Sequence, residues 1–573
     1  MLPSAEEMTA LDNRAISAGT PALDLMERAG AGVADIIQAD FLALGSHVVV
    51  VAGPGNNGGD GLVVARLLSK RRVKVSVLLV TAARYSPEFL AQYAMLRTLP
   101  KRLRSARLVD VPEREAPPAL HDTEVIDEAG ALALLLSADV IVDALLGTGH
   151  RGAPRGVVAT AISAINQARA ENGPGNVIAI DVPSGIDVTE GSVHGVAVKA
   201  DYTVVIEFLK CGMLQHPAAE YIGRLKILSI GISEVLSAGN ETGSKMRLLS
   251  LREPSLLPAT RARNTHKGHM RRVLVVGGAG GMPGAAILTG MGALRAGAPL
   301  VTITRPSGSS SISVQSPPEL MQLEMPGEPC REWLTRIEDW ALTQKSGAPD
   351  LVLAVGPGLG TTSKAQGFIE ALLSAPWTKS IPLVLDADAL NLIAAGRRSR
   401  FSELALPNGV MTPHPGEMAR LLGTTSAEVE SARYRSAEML AAHFQTTVVL
   451  KGASTVVMDG SASLTPDAVG AVNVCGTPWL ATGGSGDVLT GVIAAFLAQH
   501  LSPFKAACGG VLVHGRAGLL AAQSHGQAAS STTKGSELFG GHPILASDIA
   551  RAIPVAMQSG YAGVQSEAEQ FVR

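Results

Sequence analysis

The stretch His47-Val48-Val49-Val50-Val51-Ala52-Gly53-Pro54-Gly55-Asn56-Asn57-Gly58-Gly59-Asp60-Gly61-Leu62 reads as a buried strand, a glycine loop and the start of a helix. A continuous β-branched run bounded by glycine suits a strand covered on both faces, as in a parallel sheet. Glycines let backbone N–H groups approach an anion, and the carboxyl end of such a strand is where open α/β sheets bind ligands. The loop is not G-x-G-x-x-G and no Lys-Ser/Thr closes it, so it matches neither the ordinary dinucleotide fingerprint nor a P-loop. Asn56, Asn57 and Asp60 offer side-chain oxygens beside the backbone instead.

From this segment onward the pattern is regular. Short runs at Val73 to Val80, Val140 to Asp143, Val177 to Asp181 and Tyr202 to Phe208 alternate with helical stretches, which predicts a doubly wound parallel sheet. Two of these runs end in comparable elements, Val142-Asp143-Ala144-Leu145-Leu146-Gly147-Thr148-Gly149 and Ile180-Asp181-Val182-Pro183-Ser184-Gly185, so three motifs converge on one edge of the sheet. Around Ser237 to Ser244 the periodicity lapses into small polar residues, and a linker is expected at 237–249. The alternation restarts at Arg272 to Gly278 and continues through Leu351 to Val355, Leu383 to Asp386 and Thr447 to Leu450. The expected organisation is therefore a domain over 1–236, a second α/β domain over 250–560 and a C-terminal tail over 561–573. The segment Ser524 to Gly541 reads as a surface loop without chemistry.

A chain of 573 residues exceeds what one core supports. Its 46% hydrophobic residues, 62 glycines and 3% aromatics fit an Ala/Val/Leu/Gly-rich α/β enzyme. A net charge of −2 without a dense basic block argues against nucleic acid as a partner. Cys211, Cys330, Cys475 and Cys508 have no C-x-x-C spacing, so neither a disulfide framework nor a thiolate zinc site is expected. The start lacks a signal-peptide pattern and no apolar run reaches bilayer length, so a membrane partner is not expected. The expected setting is cytoplasmic, and the expected assembly is a homo-oligomer.

The motifs Asn56-Asn57-Gly58-Gly59-Asp60-Gly61, Gly147-Thr148-Gly149 and Asp181-Val182-Pro183-Ser184-Gly185, with Met26-Glu27-Arg28-Ala29-Gly30 and Lys210, resemble the NAD(P)H-hydrate epimerase family over about residues 1 to 235. The resemblance implies a Rossmann-like three-layer fold that interconverts the R and S epimers of hydrated NADH and NADPH. It implies a potassium ion on Asn57, Asp143 and Ser184, a set of hard oxygen donors. It also implies substrate contacts from Asn56, Asn57, Gly58, Gly59, Asp60, Gly147, Thr148, Gly149, His150, Arg151, Gly152, Ala153 and Asp181. At His150 the family usually has Phe or an aliphatic residue, and this histidine reads as a solvated loop residue. Epimerisation needs a group that passes protons, and Asp181 is the candidate. The alternative for Asp181 is a cap on the turn before Pro183.

A second glycine-rich segment, Ala481-Thr482-Gly483-Gly484-Ser485-Gly486-Asp487-Val488-Leu489-Thr490-Gly491, sets an anion nest directly before an apolar helix. Asp487 can cap that helix or act as a base for a substrate hydroxyl, and spacing does not separate the two. Further strand ends lie at Gly356-Pro357-Gly358-Leu359-Gly360, Asp386-Ala387-Asp388-Ala389-Leu390-Asn391, Thr412-Pro413-His414-Pro415-Gly416-Glu417 and Val449-Leu450-Lys451-Gly452-Ala453-Ser454-Thr455. Together with His266-Lys267-Gly268 and Gly277 to Ala286, this set resembles the C-terminal domain of the NAD(P)H-hydrate repair enzymes, of the ribokinase-like superfamily, over about residues 250 to 555.

That resemblance implies an ADP- or ATP-dependent dehydratase acting on the S epimer, with Mg²⁺ on the nucleotide; the fused arrangement favours ADP. It implies Lys451, Gly452, Ala453, Ser454, Thr455 and Gly486 on the nucleotide, and Ala285, Gly360, His414 and Asp487 on the hydrated cofactor, with Asp487 catalytic. The chain departs from the family at His269-Met270, where an acidic and then an aromatic residue are usual, so the substrate entrance differs. Two other readings stand beside this one: a small-molecule kinase in which Asp487 activates a stable alcohol, and a first domain that senses nucleotide without turnover.

Overall fold

The computed structural model describes the chain except residues 81–83, 100–103, 109–122, 172–175, 234–244, 251, 280, 308–315, 343–349, 397–403, 461–469, 525–540 and 562–573. Most of the expected linker at 237–249, of the loop at 524–541 and of the tail at 561–573 lies outside the described residues, as does Gly280. The chain forms two compact units, Met1–Met246 and Arg247–Ala568.

The first unit is built on eight strands: β1 (His47–Ala52), β2 (Lys74–Val80), β3 (Arg104–Leu108), β4 (Glu124–Ile126), β5 (Val140–Ala144), β6 (Asn176–Ile180), β7 (Tyr202–Ile206) and β8 (Arg224–Leu228). Their order is β4-β3-β2-β1-β5-β6-β7-β8, with every neighbouring pair parallel. Every residue of β1 is buried because helices cover both faces. Val48, Val50 and Ala52 pack with Val33 and Ile37 of helix α2 (Ala22–Phe41) and Leu62 of α3 (Asn56–Lys70). Val49 and Val51 face the other way, onto Ile162 and Ile165 of the helix Gly156–Ala170. An additional helix, α1 (Ala5–Ser17), opens the chain. β1 pairs with both β2 and β5, so the strand order reverses beside the glycine loop, the topological switch point at which such sheets bind ligands.

The second unit carries ten strands: β9 (Met246–Leu248), β10 (Arg272–Val276), β11 (Val301–Pro306), β12 (Leu320–Met325), β13 (Leu351–Val355), β14 (Leu383–Leu385), β15 (Gly409–Met411), β16 (Thr447–Leu450), β17 (Thr455–Asp459) and β18 (Gly470–Asn473). The order is β12-β11-β10-β13-β14-β15-β16-β17-β18-β9, with β10 to β16 parallel and β17 and β18 antiparallel. Its switch point lies between β10 and β13. At the centre the helix Ser485–Ala498 is buried from Val488 to Ala498. It lies close against the helix Pro283–Arg295 because both carry glycine at the crossing. A Cβ on Gly491 would meet Thr289 O at 2.0 Å, and one on Gly292 would meet Val488 O at 2.4 Å. No helix among the described residues is long and apolar enough to cross a membrane.

Candidate active sites

The loop after β1 turns sharply enough to exclude side chains. A Cβ on Gly53 would sit 1.9 Å from Leu145 O, and one on Gly58 would sit 1.9 Å from Gly53 O. α3 therefore starts at Asn56 against the ends of β1 and β5, with Gly55 as its N-cap and no side chain capping it. The result is a cavity of about 590 Å³ whose lining includes Asn56, Asn57, Asp60, Gly147, Thr148, Gly149, His150 and Asp181. Gly58 and Gly59 are buried in the first turn of α3 and do not line it, nor do Arg151, Gly152 and Ala153, which are exposed. His150 does line it, and its ring bonds Gly152 O at 2.8 Å, so this histidine is not simply solvated.

Asp181 follows β6 with φ of 65°, a left-handed conformation costly for a residue with a Cβ. Its Oδ1 accepts from Ile206 N at 3.0 Å and from the ammonium of Lys210, which is 0% exposed. Those bonds run to β7 and beyond it rather than into the turn before Pro183. Burial pushes the Asp60 carboxyl well above its ordinary range, and Asp181 and Asp12 add to the effect. The sequence reading missed Asp12. It comes from α1, whose N-terminus is closed by a capping box in which Ser4 Oγ accepts from Glu7 N and Glu7 accepts from Ser4 N. The signal available in the sequence was its place beside the apolar stripe Ala5, Met8, Leu11 and Ala15, all buried.

Asp143 and Ser184 meet directly, and Asn57 joins them through Leu146. Ser184 Oγ donates to Asp143 Oδ1 at 2.6 Å, Ser184 N donates to Asp143 Oδ2 at 2.8 Å, and Asn57 Nδ2 donates to Leu146 O at 2.9 Å. Burial pushes Asp143 up to about 6 against the lowering effect of its bonds from Ser184 and Leu145. Asn57 Oδ1 is buried without a hydrogen-bond partner. An orphaned buried amide oxygen, a buried carboxyl and a hydroxyl are donor types that fit a hard monovalent cation.

The second unit gathers its candidates around Lys451. The Lys451 ammonium donates to Asp386 Oδ1 at 2.7 Å and lies 3.9 Å from Glu417; Thr490 Oγ1 donates to the other Asp386 oxygen at 2.7 Å. A Cβ on Gly486 would stand 3.4 Å from the Lys451 ammonium, which puts the glycine nest beside it. Burial pulls Lys451 down, but Asp386, Glu417 and Asp487 outweigh it and raise the group. Asp487 is the third residue of its helix, whose N-cap is Gly484 in the left-handed region, so Asp487 is not the cap. Burial first and Asp386 second push Asp487 up to about 7, with Lys451 opposing. Glu417 is likewise pushed up to about 7, chiefly by burial.

His414 is half exposed and caps the helix Pro415–Leu422, its Nδ1 accepting from Gly416 N and Glu417 N; burial lowers its pKa. Gly360 N donates to Asp388 Oδ2 at 2.8 Å, and Ala285 lies against the same loop, 3.3 Å from where a Cβ on Gly358 would be. The loop Lys451 to Thr455 is shaped by its own Thr455 and by Arg433, which is absent from the sequence reading. Thr455 Oγ1 closes it onto Gly452 O at 2.9 Å, while the buried Arg433, paired with Glu430, donates to Leu450 O, Lys451 O and Ser454 O. Ser454 is buried, whereas Gly452 and Ala453 are exposed. Beneath the nest the buried His514 bonds Ser485 O at 3.0 Å, and burial depresses it to about 4, so it is neutral.

Comparison with known proteins gives each unit a counterpart. Residues 22–212 match the family model described as YjeF-related protein N-terminus, and residues 273–539 match that of NAD(P)H-hydrate dehydratase. The bifunctional NAD(P)H-hydrate repair enzyme Nnr of Moorella thermoacetica is 38% identical over 533 residues, 92% of this chain and 94% of the relative. The protein of the same description from Escherichia coli K12 is 36% identical over 501 residues, 87% of this chain and 85% of the relative. Among solved structures, an ADP/ATP-dependent NAD(P)H-hydrate dehydratase from Bacillus subtilis co-crystallised with ATP/Mg²⁺ is 27% identical and covers 55% of this chain and 98% of its own, with a TM-score of 0.42.

Proposed function

The chain belongs to the bifunctional NAD(P)H-hydrate repair enzymes, and from that premise we propose that the cavity of the first unit exchanges the R and S hydrates while the Lys451 site of the second dehydrates the S form. The observation that carries the assignment is the Asp487 carboxyl, held uncapping in the first turn of a buried helix beside Lys451 and pushed up to about 7.

Hydroxide is a poor leaving group, so a kinase-like site removes it as phosphate. Asp487 takes the proton of the ring hydroxyl as the new O–P bond forms and the nucleotide P–O bond breaks. The ring-nitrogen lone pair then expels phosphate, and loss of a neighbouring C–H proton restores the dihydronicotinamide. Lys451 and the backbone N–H groups of Gly483 to Gly486 oppose the charge that develops on the phosphoryl oxygens. A carboxyl near 7 suits a base working at neutral pH. Lys451 to Thr455 and Gly486 hold the nucleotide, and Ala285, Gly360 and His414 hold the hydrated ring. Mg²⁺ arrives on ADP or ATP and neutralises phosphate charge.

In the first unit, Asn56, Asp60, Gly147 to His150 and Asp181 bind the hydrate, and Asp181 passes protons. Asn57, Asp143 and Ser184 hold a potassium ion, which supplies a fixed positive charge beside the cavity. The proposal places a homo-oligomer in the cytoplasm. The test is a pair of full-length variants, Asp143→Ala and Asp487→Asn, each assayed for both reactions. Loss of exchange alone in the first and of dehydration alone in the second is the expected result, and loss of both in either variant, or of neither, sinks the division of labour.

A further inference from the structure

Inverting a carbon that bears a hydroxyl next to a ring nitrogen takes two proton transfers, one to the departing oxygen and one from the arriving oxygen. One carboxyl fixed on one side of the ring does not serve both transfers, because the oxygen leaves from one face and arrives on the other. The cavity of the first unit holds a second acid in a suitable place. Asp12 lines it from α1, while Asp181 lines it from the end of β6 and Asp60 from α3. These three come from separate elements, and only Asp181 carries the Lys210 ammonium on its oxygen.

We propose that Asp12 is the acid partner of Asp181 in epimerisation, an inference that rests on the assignment of this cavity to hydrate exchange. Asp12 gives its proton to the ring hydroxyl; the C–O bond breaks as the nitrogen lone pair forms a C=N bond, and water leaves. A water molecule then adds to the opposite face of the ring. Its O–C bond forms, the C=N electron pair returns to nitrogen, and the Asp181 carboxylate takes the proton. The two carboxyls have exchanged one proton, and the S-to-R direction uses them in reversed roles. Two further facts support the pairing. Burial, then Asp181, push Asp12 up to about 6, with Lys210 opposing, so a fraction of the group carries a proton at neutral pH where an ordinary aspartate carries almost none. The apolar side chains Leu25, Met26 and Ile230 line the same space, which favours a proton passed between carboxyls over one lost to bulk water.

The groups that share the cavity or its electrostatics with Asp12 are Asp60, Asp181, Lys210 and His150. Their titrations are separated by using variants rather than the wild-type pH profile alone. The test measures R-to-S exchange of hydrated NADPH by the full-length enzyme without ADP, so that dehydration does not run, in water enriched in oxygen-18. Asp12→Asn is expected to lower exchange by about 10²-fold or more, the scale of lost acid catalysis, with hydrate affinity unchanged and the alkaline limb of the profile gone. Asp12→Glu keeps part of the rate with that limb displaced, and in the wild type each inversion incorporates one labelled oxygen. Wild-type exchange in Asp12→Asn with none in Asp181→Asn removes Asp12 from the chemistry and leaves the cavity assignment standing. Wild-type exchange in both variants overturns the cavity assignment itself. Loss of hydrate affinity in Asp12→Asn makes Asp12 a binding group, and inversion without label sends the reaction through ring opening; either result overturns the proposal.

Discussion

Replacing Asp487 by Asn makes the enzyme more stable and nearly inactive, and both effects follow from one environment. Raising a carboxyl from 3.8 to about 7 corresponds to ~4 kcal/mol at most of folding free energy forgone once the group is ionised. The sign follows from the direction. A raised pKa contributes stability that is fully present below 3.8 and lost as pH rises through 7. The favourable field of the helix N-terminus is worth only about 0.3–1 kcal/mol, too little to reverse burial and the repulsion from Asp386. Asp487→Asn keeps the size and removes the charge. The variant should match wild type near pH 4 and unfold at higher denaturant at pH 8, the difference appearing between those limits. Dehydration of the S hydrate should fall by about 10²- to 10⁴-fold, ~3–5 kcal/mol of barrier, with ADP affinity retained. The assay combines denaturant unfolding at two pH values, steady-state dehydration and calorimetric ADP binding on one preparation. Near-normal turnover refutes the base assignment, and identical stability of variant and wild type at pH 8 refutes the electrostatic argument behind it.

Three further outcomes are expected. Asp143→Ala removes the only formal charge from the set Asn57, Asp143 and Ser184, so exchange and its dependence on potassium should vanish together while dehydration survives; an assay of both activities with potassium or sodium salts decides it. Lys210→Met leaves Asp181, 14% exposed, without its counter-charge, which should cost about 3–5 kcal/mol in denaturant unfolding of the first unit and abolish exchange. Arg433→Met strips the donor from Leu450 O, Lys451 O and Ser454 O, each buried acceptor being worth about 1–3 kcal/mol. The KM for ADP should then rise at least about tenfold for the first 1.4 kcal/mol lost, with kcat affected less.

The parts of the fold that could be read from the chain are those where one kind of residue had to repeat. β1, β5, β6, β10, β13 and β16 are covered on both faces and show as β-branched runs with glycine after them. β3, β4 and β8 did not announce themselves because charge interrupts any apolar pattern: Arg104 and Arg107 in β3, Glu124 in the edge strand β4, and Arg224 with Lys226 in the edge strand β8. β9 has three residues within a stretch read as linker, and β17 and β18 turn antiparallel after the loop from Lys451, which was read only as a strand end. The sites divide the same way. Residues needed where strands end sit in motifs, so Asn57, Asp60, Asp143, Asp181, Ser184, Lys451 and Asp487 were all named. Asp12, Arg433 and His514 lie on helices far along the chain from the loops they serve, and no spacing connects a helix residue to a loop it touches only after folding. Arg151, Gly152 and Ala153, named through the resemblance, are exposed and stand outside the lining of the cavity.

Both units solve the same problem with the same pair of residues. An anionic nucleotide needs a cation inside the protein, but a buried ammonium without a partner is too costly to keep. Lys210 lies against Asp181, and Lys451 against Asp386, in each case at the carboxyl ends of parallel strands beside a glycine loop. In the second unit Asp386 is the first of the charges that raise Lys451 against the effect of burial. The pairing also puts an acid within reach of whatever the lysine attracts. In the first unit that acid is the proposed proton carrier. In the second, Asp386 is tied down by Thr490 as well, and the proposed proton acceptor is instead Asp487, which has no lysine hydrogen-bonded to it and is raised to about 7. The two sites therefore differ in whether the lysine's partner is also the base, which is why the first site tunes its chemistry through a second carboxyl and the second through burial at the start of a helix.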